Sequence, residues 1–293
     1  MTLEQLRIFV AVAEREHVTR AAADLHLTQS ATSAAIAALE NRYDARLFDR
    51  VGRRIELTEA GRLFLIEARA VLARAQAAET VLTDLAGLKR GALSLAASQT
   101  VGNYWLPRIM QRYRALHPGV ALSLRIGNTE QVAQWVHETS ADIGLIEGEI
   151  DDPALSVTQV AEDEMVLVVG RSHPWADRAS VTPEELMWTQ WVLREPGSGT
   201  RSIFESWLRD MGQLPEALAI ALEFPSNEAI RSAVEAGAGA TVISRLVADA
   251  MLRAGSLVQV GLDLPKRRFY RLRHKERHLT RAEQAFAELL SDA

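Results

Sequence analysis

Apolar residues Leu3, Leu6, Phe9, Val10 and Ala13 recur at helical spacing and leave one polar face, so the chain opens on an amphipathic helix. A second short helix is predicted from Thr19 as its cap through Ala21, Ala22, Ala23 and Leu25. Thr28 caps a third that runs to about Asn41. Consecutive alanines let two helix backbones approach closely, as a tight helix-turn-helix requires, although the pattern alone also fits three small helices of any bundle. From Arg42 the texture turns basic: Arg42, Arg46, Arg50, Arg53 and Arg54 stand against Asp44 and Asp49, and Gly52 can turn a short hairpin. Thr58 then caps a stripe of Phe64, Ala68, Val71, Ala75, Ala78, Leu82 and Leu85 that ends at Gly87. A helix of that length, about 45 Å at ~1.5 Å per residue, cannot bury its stripe alone. A partner helix is implied, most simply from a second copy of the chain.

After Lys89-Arg90-Gly91 the pattern changes to apolar strands alternating with capped helices. Strands are predicted at 93–97, 120–126, 143–146, 165–169, 218–224 and 241–244, with helices starting at Val101, Thr129, Thr182, Thr200 and Ser226. The capping-box pairs Thr182/Glu185 and Thr280/Glu283 support two helix starts. Such alternation predicts α/β architecture with mainly parallel sheets, which place ligands at the carboxyl ends of their strands. The expected fold class is therefore α + α/β.

Composition narrows the function. A length of 293 residues suits about two domains at ~150 residues each. The absence of cysteine excludes disulfides, thiolate catalysis and Cys-based metal sites. The first residues lack the pattern of a secretory signal and no run approaches ~18 apolar residues, so a cytoplasmic protein without membrane contact is expected. A net charge of −5 argues against a wholly basic nucleic-acid coat but permits a local basic face. His274 and His278 have a spacing that could ligate a metal on a helix face. Lys275 and Arg277 flank them, however, and no third ligand is evident, so neither a metal nor a cofactor is expected. Trp188, Trp191 and Trp207 read as packing residues.

Two groups of residues carry candidate chemistry. On the third helix, Gln29 can pair bidentately with adenine in a major groove, while Ser30, Thr32 and Ser33 are short donors that let a helix lie close. Thr28 precedes them, and Arg50, Arg53 and Arg54 are suited to phosphates, which position a protein on DNA without reading sequence. In the second half, the turn Gly197-Ser198-Gly199-Thr200 stands between a strand and a helix, where backbone N–H groups can hold an anion. Ser98 and Thr100 occupy the equivalent junction after the first strand, so two lobes could close on a ligand. Glu147 and Glu228 are open between liganding and holding Arg194 or Arg201.

The run from Leu25 to Glu40, followed by Leu47-Phe48-Asp49-Arg50 and Leu57-Thr58-Glu59-Ala60-Gly61, resembles LysR-type regulators. Further along, Ser98 to Tyr104, Gly127 to Val132, Glu147-Gly148-Glu149 and Arg194 to Arg201 resemble the branch of CbbR-like and YeiE-like proteins. The resemblance implies a winged helix-turn-helix at 1–57, a linker and dimerisation helix at 58–88, and a two-lobed periplasmic-binding-protein-like effector domain at 89–293. Lobe I would take 89–161 and 265–293, and lobe II 162–264. It further implies a non-enzymatic regulator with Gln29 in base readout and a small anionic effector at Ser98, Thr100, Asn103, Thr129, Ser198, Thr200 and Arg201. Its expected partners are an operator in double-stranded DNA and itself as a dimer of dimers, with RNA polymerase a further candidate. An enzyme on the same fold would need a nucleophile beside a base, and a solute-binding protein would need an export signal and no DNA-binding head. A molybdate-type regulator would share the first hundred residues and differ beyond them.

Overall fold

A computed structural model of the chain describes residues 1–51, 54–85, 91–148 and 150–291; at 50, 51, 54, 76, 77 and 79–85 it describes the backbone alone. The chain divides into two compact units.

In the first unit, α1 (Leu3–Arg15), α2 (Val18–Asp24) and α3 (Gln29–Tyr43) precede a hairpin of β1 (Phe48–Val51) and β2 (Arg54–Leu57), then α4 (Glu59–Leu85). A capping box between Thr2 and Gln5 starts α1, and α2 is capped by His17, two residues earlier than the predicted Thr19. Ala21 and Ala22 are buried where α2 packs, and the turn before α3 uses His26 at φ +55°. Leu6, Phe9, Val12, Ile36 and Leu39 build the core. Phe9 ties three elements together, its ring 5.4 Å from Phe48 of β1 and 4.8 Å from Phe64 of α4. Thr58 caps α4 as predicted, accepting from the Gly61 N–H at 2.9 Å. Glycine is required at 61 because a Cβ there would lie 2.1 Å from the Leu47 carbonyl oxygen.

The 27-residue α4 is about 40 Å long. Its predicted stripe divides: Phe64 and Ala68 face their own core, whereas Val71 is exposed together with Leu63 and Ile66, which the stripe omitted. The stripe's Leu82 and Leu85 side chains and Gly87 lie outside the described residues.

The second unit holds two five-stranded sheets. One has the order β4 (Val120–Gly127), β3 (Gly91–Ser98), β5 (Ile143–Glu147), β12 (Arg267–His274), β6 (Leu155–Asp163). The other has the order β11 (Leu257–Val260), β7 (Met165–Gly170), β10 (Ala240–Ser244), β8 (Gln190–Arg194), β9 (Ala219–Phe224). Helices α5 (Leu106–Leu116) and α10 (Arg281–Ser291) cover one face of the first sheet, and α6 (Thr129–His137) covers the other. The second sheet is enclosed by α7 (Gly199–Asp210), α8 (Asn227–Glu235) and α9 (Arg245–Ala254). Strands β5, β7 and β10 are buried along their whole length, which is why they read as continuous apolar runs.

Each sheet contains one strand that runs against its neighbours, β12 in the first and β7 in the second. The expectation of mainly parallel sheets missed both. These are also the strands by which the chain crosses between lobes: β6 passes into β7 through Glu164, and the stretch after β11 returns into β12. The spacing of His274 and His278 has no helical meaning, since His274 ends β12 and His278 lies in the following loop. Trp191 and Trp207 pack in the core as predicted, but Trp188 is 77% exposed. Among the described residues no helix is long and apolar enough to cross a membrane.

Candidate functional site

The carboxyl ends of β3, β5 and β8 meet the start of α7, which brings Ser98, Thr100, Thr129, Glu147, Ser198 and Thr200 together, all buried. At their centre is the Glu147 carboxylate. Ser98 donates its hydroxyl to Glu147 Oε2, and the Thr200 hydroxyl donates to Oε1 at 3.5 Å. Thr129 donates to the Glu147 carbonyl at 2.9 Å and accepts from the Gly199 N–H at 3.2 Å, joining the lobes through main chain. The approach is so close that a Cβ on residue 199 would lie 2.1 Å from the Glu147 carbonyl oxygen, which fixes glycine there. Thr100 accepts from Asn227 Nδ2 at 3.2 Å.

Of the four hydroxyls at the two strand-to-helix junctions, those of Ser98, Thr100 and Thr200 are engaged within the protein. Ser198 differs. Its Oγ is buried and has no hydrogen-bond partner among the described residues, at the N-terminus of α7 where partial positive charge accumulates. Leaving a buried hydroxyl unpaired costs about 1 to 3 kcal/mol, so this atom marks a position suited to an acceptor.

Arg267 lies beneath the carboxylate, 3.6 Å from Glu147, donating to Thr200 Oγ1 at 2.9 Å and to Asp163. Two buried carboxylates thus share one guanidinium, with Ser244 adding a hydrogen bond to Asp163 at 3.0 Å.

Other expectations need correcting. Arg201 is held by Glu205 at 2.6 Å, by Glu223 at 2.5 Å and by the Arg194 carbonyl, so its Nε and Nη1 donors are spent away from the cleft. Arg194 is held by Glu195 and by Asn227, and neither Glu147 nor Glu228 holds either arginine. Asn103 is exposed at the rim, 3.4 Å from Glu228. Beside it, burial and a 2.9 Å hydrogen bond to Glu228 push the Tyr104 hydroxyl up to about 12. Asn227, Asp163 and Arg267 were missed. Asn227 follows the helix cap Ser226, a local signal that could have found it; Arg267 sits in the basic run Lys266-Arg267-Arg268, which reads as solvated surface.

On α3, Gln29 and Ser30 are exposed and Ser33 is half-buried, with Gln29 Nε2 3.1 Å from Ser33 Oγ. The Thr28 hydroxyl caps the helix through the Ala31 N–H at 3.2 Å. Thr32 does not join this face. It is fully buried and its hydroxyl bonds the Thr28 carbonyl at 3.1 Å, so it cannot reach a groove. Arg50 and Arg54 stand on the hairpin, but their side chains, and Gly52 and Arg53 entirely, lie outside the described residues.

Family models match nearly the whole chain: a bacterial regulatory helix-turn-helix of the lysR family over residues 3–62, and a LysR substrate binding domain over 86–293. This chain belongs to the LysR family. It is a DNA-binding transcription regulator with an N-terminal helix-turn-helix and a two-lobed substrate-binding domain. The uncharacterized HTH-type transcriptional regulator YeiE of Escherichia coli K12 is 38% identical over 295 residues, 100% of this chain and 98% of that relative. The RuBisCO operon transcriptional regulator of Allochromatium vinosum is 33% identical over 296 residues, 100% of this chain and 97% of that relative. Among solved structures, the regulatory domain of Synechocystis PCC6803 CcmR in complex with 2-PG is 26% identical. It covers 69% of this LysR-family chain and 97% of its own, with a TM-score of 0.64.

Proposed function

We propose that this regulator binds a small oxyanion between its lobes, at Ser198 and the start of α7, and that the bound ion alters how it holds its operator. The observation that carries the reading is the unpartnered, buried Ser198 hydroxyl at a helix N-terminus. The Glu147 carboxylate stands beside it, so an entering anion displaces that carboxylate from Ser98 and Thr200 and takes over their hydroxyls.

Among the described residues, Arg194, Arg201 and Arg267 are already bound to carboxylates, which leaves none of these three for a second anionic group. That favours a sulfur oxyanion such as sulfite over a phosphorylated or dicarboxylate metabolite, and the CcmR complex with 2-PG keeps the second class in the test. The cleft residues offer hydroxyls, amides and carboxylates without a histidine beside them, which suits binding over turnover. Exposed Leu63, Ile66 and Val71 on α4 support self-association through that helix, and a dimer of dimers is the assembly proposed. The operator is read by Gln29, Ser30 and Ser33, positioned by Arg50, Arg53 and Arg54 on phosphates; the protein acts in the cytoplasm and contacts RNA polymerase there.

Calorimetry with sulfite and with phosphoglycolate on wild type, Ser98→Ala and Ser198→Ala tests the site. Each substitution is expected to cost about 1 to 3 kcal/mol of anion binding. Unchanged affinity in both variants places the effector elsewhere.

A further inference from the structure

A cavity of about 430 Å³ opens between α7 and the beginning of β12, separate from the hydroxyl cluster around Ser198. Its α7 wall has a regular origin. Ser202, Ser206 and Asp210 follow one another at i, i+4 and i+8, so they form one polar ridge, while Phe204, Trp207 and Leu208 turn into the core. The opposite wall is cationic: Lys266, just before β12, and Arg268 on it line the cavity together with Tyr270 of that strand. Among the described residues no carboxylate is bonded to Arg268, and Lys266 makes only a 4.0 Å surface contact with Glu162 at 86% side-chain exposure. Asp210, at the far end of the ridge, is the one acid among the described lining residues.

We propose that this cavity is a second small-molecule site that takes an organic anion with a single carboxylate or phosphate head. Its volume falls in the range of small-ligand pockets, about 300 to 1,000 Å³. A planar guanidinium beside serine hydroxyls matches the head group, the Trp207 edge and Ile203 supply an apolar wall for the body, and Asp210 disfavours a second negative group. Ser198 is not among its lining residues, so the site does not rest on the proposed role of that hydroxyl.

Its position gives it a consequence. Arg267 lines the cavity and also reaches Thr200 and Glu147 in the cleft, and α7 forms a wall of both. An occupant therefore bears on the strand that returns between lobes, and the two ligands change each other's affinity by equal factors.

The test is calorimetry on the full chain with phenyl phosphate and phenylacetate as probes, in wild type, Arg268→Ala, Lys266→Ala and Ser198→Ala. At least one probe is expected to bind wild type, and which one identifies the head group. Arg268→Ala should weaken it by about tenfold or more, with Ser198→Ala leaving it unchanged. Both cationic residues are exposed, so their loss leaves folding intact. The proposal is overturned if neither probe binds at millimolar concentration, if Arg268→Ala and Lys266→Ala bind as tightly as wild type, or if Ser198→Ala alone abolishes binding.

Discussion

Arg267 and Asp163 stand opposite each other in the register of β12 and β6, with the guanidinium Nε 2.8 Å from the carboxylate Oδ2. One residue begins the strand that returns from lobe II and the other ends the strand that leaves lobe I, so a single buried ion pair fastens both crossings. Removing one partner leaves a buried charge without compensation. Arg267→Ala is expected to destabilise the protein by about 3 to 5 kcal/mol in urea unfolding. A loss below about 1 kcal/mol, the range of an exposed pair, would show that the crossings do not depend on it.

Gln29 and Thr32 of α3 should separate in the same way that burial separates them. Gln29→Ala is expected to cost about 1 to 3 kcal/mol on the specific operator and to relax one base position, with little effect on random duplex. Thr32→Val should leave the ratio of specific to random binding unchanged and act on stability instead, because its hydroxyl bonds the Thr28 carbonyl. Paired titrations on both duplexes decide; equal losses on the two for Gln29→Ala would remove it from base readout.

These corrections show what a linear reading can reach. Caps, apolar runs and the Phe9 periodicity are local, and the structure realises them at Thr28, Thr58 and Thr280 and in β5, β7 and β10. Strand β12 was invisible because Arg267, Arg271 and Arg273 look like solvated surface until the elements packed around them are known. Asp163 neutralises Arg267, and Glu283 lies 3.6 Å from Arg273 only because α10 packs on the same face, though both are near in sequence. Likewise Phe64 and Leu63 are equally apolar, and only the fold decides that the first enters its own core and the second faces outward. Glu147 was weighed as a ligand or a brace for distant arginines; its engagement with Ser98 depends on two strands lying side by side.

Leu63 and Ile66 carry the self-association prediction. Leu63→Asp with Ile66→Asp should lower the mass measured by light scattering and weaken operator binding while the helix-turn-helix stays folded, since both side chains are exposed. Unchanged mass and DNA affinity would assign the oligomer contact to another surface.

Glu283 gives stability a pH dependence. Burial pushes its carboxyl from the ordinary 4.5 up to about 6, against Arg277 and with help from Asp142. The folded state therefore holds this proton more tightly than the unfolded chain. Its contribution is fully present below about pH 4.5 and is lost as pH rises through about 6, which corresponds to roughly 2 kcal/mol. Glu283→Gln should remove that decline, so the stability difference between variant and wild type should shift in favour of the variant from pH 5 to pH 7. A difference that stays constant across this window would contradict the assignment.

On the proposed reading, an anion and the Glu147 carboxylate compete for the same hydroxyls. The most direct measurement is a sulfite titration of Glu147→Gln beside wild type, because glutamine keeps the shape and removes the repelling charge. Binding is expected to be tighter by about tenfold or more in the variant. Equal or weaker binding in Glu147→Gln would contradict it.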